Sequence, residues 1–414
     1  MDTTVLVVGG GATGVGVARD LAMRGVDVTL VERGGLSSGT SGRSHGLLHS
    51  GARYAEADAL GAQECIRENE TLRDIAGAAI RDTGGLFVSL EDDDDAYFQR
   101  KLDACHEHGI PAEEISVERA RELVPDLADD VARVMEVPDG AIYPSRLIAA
   151  NAASAEEHGA RVFTHAPLED LHVEAGEIVA ADVGGDVDDR VETDYVVNAT
   201  GAWAGECAAL ADVDVEMRPN KGVMVAVDYA GLGPVLNRCR DPADGDIVIP
   251  HQSQVVLGTT SVDVDDPDDY DEDSWEVEKM FAECGRMLPP VADLDVSRTY
   301  WGVRPLYGSD EDSRAGSRGI SRGFFLLDHG EDDVGNFASI VGGKLTTYRM
   351  MAEATADHVC EAIGVDAVSE TAEEPLPGAD DEAELDRLVA KYDARSPADE
   401  DVVGGDGAAG AADD

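Results

Sequence analysis

Apolar residues recur along this chain in rhythms that predict its elements. Residues 4–8 (TVLVV) form a continuous apolar run of buried-strand length, 13–24 carry apolar side chains at helical spacing up to Gly25, and 26–32 return to strand. That is one βαβ unit, the nucleotide half of a doubly wound sheet. After a polar, glycine-rich stretch at 34–51, helices are predicted at 57–78, 95–108 and 145–158, with turns at Pro138 and Pro144. Strands at 161–164 and 177–183 precede 195–199, which returns to the first sheet and makes the nucleotide domain discontinuous. From 213 to 307 the pattern shifts to longer β segments (222–227, 246–250, 255–260) around one helix at 273–287. Such a pattern suits an antiparallel sheet forming the floor of a substrate cavity. Residues 345–363 are a strongly periodic helix that rejoins the first domain; beyond Val365 the chain turns acidic and Pro-rich, then Gly/Ala/Asp-rich, predicting a short helix at 380–392 followed by disorder.

Composition narrows the function classes. At 414 residues and 43% hydrophobic, the chain can bury a sizeable core, with two domains the default. Its 86 acidic and 32 basic residues give a net charge of -54, which repels nucleic acid and anionic lipid surfaces. Carboxylates spread through loops (91–95, 265–273, 380–384) with only five lysines fit an intracellular protein of an extreme halophile. The six cysteines show no CxxC and no ligand-like spacing to a histidine, so neither a disulfide framework nor a metal site is expected. No stretch approaches the roughly 18 apolar residues that span a bilayer. The expectation is a cytoplasmic chain, at most docked on a membrane partner.

Gly9-Gly10-Gly11-Ala12-Thr13-Gly14 is a GxGxxG between strand and helix. Its glycines let the backbone approach a pyrophosphate, whose charge meets the helix N-terminal amides. Glu32 closes the next strand, where a carboxylate accepts from ribose hydroxyls. On these residues alone FAD and NAD both remain open.

Further segments carry a family resemblance. Thr40-Ser41-Gly42-Arg43-Ser44-His45-Gly46-Leu47-Leu48-His49-Ser50-Gly51-Ala52-Arg53-Tyr54 resembles the flavin-wrapping segment of FAD-dependent glycerol-3-phosphate dehydrogenases, and 197–203 (VNATGAW) resembles the strand end that contacts FAD in that superfamily. Gly302-Val303-Arg304-Pro305-Leu306, Ser321-Arg322 and Gly342-Gly343-Lys344-Leu345-Thr346-Thr347-Tyr348-Arg349 follow in the family's order, with 235–240 (VLNRCR) and 257–261 (LGTTS) between. Over roughly residues 1–365 the chain is similar to the catalytic A subunit of the anaerobic-type enzyme. The resemblance implies FAD as cofactor and a GR2-type α/β fold: a Rossmann-like FAD domain (1–85, 145–212 and 335–364) with an inserted antiparallel-sheet substrate domain (86–144 and 213–334) and an acidic, partly disordered tail (365–414). It further implies oxidation of sn-glycerol 3-phosphate to dihydroxyacetone phosphate, partner B and C subunits, a quinone as eventual acceptor, and peripheral placement on the inner face of the cell membrane. One departure stands out: the family's catalytic subunit carries a cysteine-rich C-terminal region, and no cysteine follows Val365 here. A shortened member and a truncated sequence are both open, and no iron–sulfur role carries over.

Oxidising a secondary alcohol on a flavin needs a hydride acceptor, a base for the hydroxyl proton and an anchor for the phosphate. Arg53, Arg304 and Arg322 are the anchor candidates, because a guanidinium fork binds phosphate oxygens in two places. Lys344 stands where the glycine pair delivers a helix N-terminus, positioned to stabilise charge on reduced flavin or to touch substrate. Thr346 is a contact to the ring or an N-cap. His49 ranks first as base, His45 second and Lys221 third. In the wider family a histidine lies just past that lysine and glycine; here the position is Val223. The cofactor set is completed by Gly9, Gly11, Gly14, Glu32, Thr40, Ser41, His45, Thr200, Gly201, Trp203, Gly343 and Leu345. The rival readings are a flavin oxidase or dehydrogenase of an amino acid or 2-hydroxy acid, and a flavin-binding subunit without turnover.

Overall fold

The structure, a computed structural model, describes residues 1–308 and 323–403. Its first sheet grows from Asp2–Val8, whose last four residues are buried and which runs parallel to Val28–Val31 on one side and Asp189–Asn198 on the other. Arg161–Phe163 extends it in parallel beyond Val28–Val31, and Phe337–Gly342 lies parallel to the end of Asp189–Asn198. Three antiparallel pairings complete eight strands, including Phe324–Asp328 against Phe337–Gly342. Residues 324–334 therefore belong with this sheet, not with the substrate unit in which the expected domain bounds (213–334) include them. The ladder that holds them there forms between local neighbours, a pairing that boundary signals alone do not reveal.

Helix Ala12–Met23 packs between Pro144–Glu157 and Tyr348–Ile363 in one apolar cluster. Small residues allow the approach: a Cβ on Gly16 would stand 2.9 Å from the Ala352 Cβ. The predicted helix at 345–363 begins as a 3-10 turn, Leu345–Thr347, before the α-helix proper. Arg349 in that helix forks onto buried Glu68 at 2.5 and 2.9 Å, pinning it to helix Ala59–Ile75.

A second sheet of nine strands has Met217–Asp228 as its spine, paired antiparallel with Gln254–Gly258, Val262–Asp263 and the long strand Val296–Tyr307. It continues through Ile247–Pro250 and Val235–Arg238 to Gly85–Leu90, Val131–Val137 and Glu113–Ile115. All pairings are antiparallel except Val235–Arg238 against Gly85–Leu90, which is parallel. Helix Ser274–Cys284 covers one face through Met280 and Cys284. A three-stranded ribbon, Leu47–Leu48, Gly140–Ile142 and Ile80–Arg81, ties the two regions together.

The segment after Val365 differs from expectation. Leu376, Leu385, Val389 and Tyr392 join the core of the first region, and 393–403 continue as a packed strap. The Ala398 amide donates to the Gly42 carbonyl at 3.1 Å, and buried Asp399 accepts from the Ser145 amide and hydroxyl at 2.9 and 2.6 Å. Asp401 lies 3.2 Å from His251 Nδ1 and 3.5 Å from Arg298, on the second sheet. The disorder expected at the chain end falls on residues 404–414, outside the described residues.

Candidate active site

The first glycine turn is built for a close neighbour. Gly9 has φ +110°, and a Cβ there would sit 2.6 Å from the Ala199 carbonyl oxygen; a Cβ on Gly14 would sit 1.9 Å from Gly9 O. The helix it opens has Gly11 at its N-cap, no side-chain cap and no acidic residue in its first turn, leaving its positive end toward the cavity. The Ser41 hydroxyl accepts from the Ala12 amide at 3.1 Å. Glu32 accepts from the Gly10 amide at 2.6 Å and the Gly34 amide at 2.9 Å, which fixes its carboxylate at the cavity wall.

These groups line a cavity of about 450 Å³. Gly9, Gly11, Glu32, Thr40 and Ser41 form one part of its wall, Thr200, Gly201 and Trp203 another, and Gly343, Lys344 and Leu345 a third. Gly14 stands behind Gly9, holding the turn against the helix. A glycine cradle, a fixed ribose-seeking carboxylate and two helix openings on one cavity fit a flavin dinucleotide. The Thr40 hydroxyl donates to Val303 O at 2.6 Å, and a Cβ on Gly302 would meet Arg43 O at 2.3 Å, so the segment 40–45 lies tight against Val296–Tyr307.

A second cavity of about 240 Å³ shares Thr40 and Ser44 with the first. His45, His49, Arg53 and Arg304 all line it. His49 is 7% exposed; its Nε2 lies 3.4 Å from the Tyr54 hydroxyl, and its amide donates to Thr346 Oγ1 at 3.1 Å. Thr346 is thus buried behind the histidine and lines neither cavity. Arg304 donates to Asn220 Oδ1 at 2.6 Å and Thr260 O at 3.0 Å, which aims its guanidinium along the cavity edge. The tip of Arg53 is 3.6 Å from Asp246, itself 2.9 Å from Arg240. Burial pushes the Asp246 carboxyl above its usual range, against the pull of Arg53, the Ala243 amide and Arg240. Arg322 lies outside the described residues.

A profile of the family described as FAD dependent oxidoreductase matches residues 4–357. The chain is 52% identical over 408 residues to the A1 subunit of anaerobic glycerol-3-phosphate dehydrogenase from the haloarchaeon Haloferax volcanii, covering 95% of this chain and 70% of that one. It belongs to the family of catalytic A subunits of anaerobic glycerol-3-phosphate dehydrogenases. The corresponding Escherichia coli protein is 41% identical over 387 residues, with 92% and 71% covered. The fold is shared with the FAD-complexed glycerol-3-phosphate dehydrogenase of Bacillus halodurans (TM-score 0.71, 23% identity, 92% of this chain and 69% of that one). It is equally shared with glycine oxidase of Geobacillus kaustophilus (TM-score 0.72, 20% identity, 91% and 98%). FAD is the cofactor, and the fold is the GR2-type flavoenzyme fold.

Within this dehydrogenase fold, Lys221 is placed against the base role. Strand alternation puts Gly222 in the cavity wall and Lys221 on the opposite face, where its ammonium is 2.8 Å from buried Glu276. Sequence reasoning missed Tyr54: besides reaching His49, its ring lies 4.6 Å from the Lys344 ammonium. Its position beside Arg53 in a tight turn was the available signal. Arg33 was missed as well; it lines the first cavity and stacks on Trp203 at 4.3 Å.

Proposed function

We propose that this dehydrogenase chain oxidises sn-glycerol 3-phosphate to dihydroxyacetone phosphate. The observation that carries the reading is the convergence of Arg53, Arg304 and His49 on one cavity adjoining the glycine cradle, in a chain 52% identical to the A1 subunit of the Haloferax volcanii enzyme. FAD, when bound, supplies the hydride acceptor. The first sheet and its helices form the FAD unit, and the second sheet forms the substrate unit. Arg53 and Arg304 hold the phosphate, with Arg322 as the third arginine of the set. His49 takes the hydroxyl proton, with Tyr54 hydrogen-bonded to its ring and Thr346 fixing its backbone. Lys344 and the helix opening beside it favour negative charge at that end of the cavity. His45 lines the same wall and is the second choice of base.

Electrons pass through partner B and C subunits toward a quinone, with the complex on the inner face of the cell membrane. Among the described residues, no helix is long and apolar enough to cross a membrane, so docking would run through those partners. A net charge of -54 disfavours nucleic acid as a partner.

The test is anaerobic. FAD-loaded protein in molar KCl is mixed with sn-glycerol 3-phosphate, with glycerol, lactate and an amino acid as comparators, and flavin absorbance is followed. Bleaching by the phosphate ester and not by glycerol supports the reading. Bleaching by lactate or the amino acid alone overturns it in favour of a carboxylate substrate.

A further inference from the structure

The turn that presents Arg53 and Tyr54 spans residues 51–58, opens at Gly51 with φ +94°, and forms no strand pairing. Its own backbone bonds close it, Tyr54 N to Gly51 O and Asp58 N to Tyr54 O both at 2.9 Å, with Ala52 and Ala55 buried beneath, and the substrate unit adds a further hold. From helix Asp95–Glu107, Lys101 extends an ammonium whose side chain is 2% exposed. Its Nζ lies 2.6 Å from Glu56 Oε2, 3.1 Å from Ala52 O and 3.4 Å from Arg53 O. Three acceptors of one short turn therefore converge on one cation, including both carbonyls that flank the Arg53 α-carbon. The rings of Phe87 and Tyr97 stand 5.6 and 5.3 Å away.

The geometry points to Lys101 as a positioning residue that sets Arg53 for the substrate's phosphate. Its helix does not need the charge in order to pack. Phe98, Leu102 and Cys105 already seat it in an apolar cluster with Phe87, Ile110 and Met135. A methionine would occupy the same space without the cost of desolvating an ammonium. What the ammonium adds to the packing of Ala52 and Ala55 in that cluster is a polar clamp on the two carbonyls that flank the Arg53 α-carbon. The other end of Arg53 is met by Asp246 at 3.6 Å, so Lys101 fixes its backbone while Asp246 holds its tip. An anchor held at both ends loses little freedom when phosphate arrives, which is how pre-organisation raises affinity.

The inference rests on Arg53 binding phosphate, and the experiment separates the two. KM and kcat for sn-glycerol 3-phosphate are measured on FAD-loaded full-length Lys101→Met, Arg53→Ala and the double variant, in molar KCl with a dye acceptor. Lys101→Met is expected to raise KM about tenfold with kcat within about threefold, and the double variant to match Arg53→Ala alone. Arg53→Ala with unchanged KM overturns the phosphate role itself. Arg53→Ala with raised KM, beside Lys101→Met that leaves KM unchanged or adds to the double variant in full, overturns the role of Lys101 only. Should Lys101→Met fail to fold, Glu56→Gln removes the counter-ion and keeps the lysine. It is expected to raise KM about threefold without adding to Arg53→Ala, and an unchanged KM there overturns the proposal.

Discussion

His49 illustrates how a side chain acquires a role from its supports. Its amide is fixed by Thr346 and its Nε2 faces the Tyr54 hydroxyl, whose ring in turn faces Lys344. These contacts place the imidazole at the cavity wall. His49→Asn keeps a polar group of similar reach and removes the base. Its kcat for sn-glycerol 3-phosphate is expected to fall about 10²–10⁴-fold, with FAD content and the visible spectrum retained. Loss of FAD binding instead would assign His49 to packing. Much of this site was legible from residue types: a glycine turn, a carboxylate at a strand end and arginines beside glycines each have a chemistry that needs little context. Orientation was less legible. Lys221 and Gly222 are neighbours on one strand, yet only the glycine reaches the cavity, because alternate residues face opposite sides of a sheet. That rule was readable, but which face was wet depended on Glu276, Thr260 and Trp301 meeting behind the strand.

Whole elements show the same division between local signal and distant pairing. The first βαβ unit and helix Tyr348–Ile363 followed from periodicity, since each buries one continuous apolar face. The parallel union of Gly85–Leu90 with Val235–Arg238 had no local signal, because nothing in either run names the other. The strap at 393–403 has the composition of disorder for a different reason: its buried apolar residues, Ala394, Ala398 and Val402, are small or few, and buried polar groups add to the hold. Asp399 is its centre, accepting from Ser145 and, at 2.8 Å, from Ser396. Burial raises the Asp399 carboxyl, and the hydrogen bonds from Ser145 and Ser396 only partly oppose this. A carboxyl raised on folding binds its proton more tightly in the folded state. Its contribution is therefore most favourable below the ordinary carboxylate value and declines as pH rises through the raised one. Asp399→Asn keeps one acceptor and cannot ionise. Its melting temperature, followed in concentrated KCl from acid to neutral pH, is expected to gain on the parent as pH rises across that window. A constant offset between the two curves would mean that Asp399 does not titrate there.

At the scale of the molecule, charge acts on both fold and turnover. A net charge of -54 repels itself and also repels an incoming phosphate dianion, so substrate must enter a cationic cavity through an anionic field. The two fields differ in range. Screening reaches about 10 Å at 0.1 M salt and about 3 Å at 1 M, which removes the long-range repulsion. The contacts that Arg53 and Arg304 would make in a recessed cavity are short and less affected. Self-repulsion across the surface is relieved in the same range, whereas exposed pairs such as Arg33 with Asp268 contribute little either way. Raising KCl from about 0.1 to 1 M is therefore expected to increase the melting temperature and also kcat/KM for sn-glycerol 3-phosphate, after correction for the folded fraction by circular dichroism. A competitive inhibitor that is uncharged should bind with nearly the same affinity across that range. If KM for the phosphate ester instead rises steeply with salt while the fold is intact, the local arginine contacts dominate the long-range field. The acidic surface would then bear on stability alone.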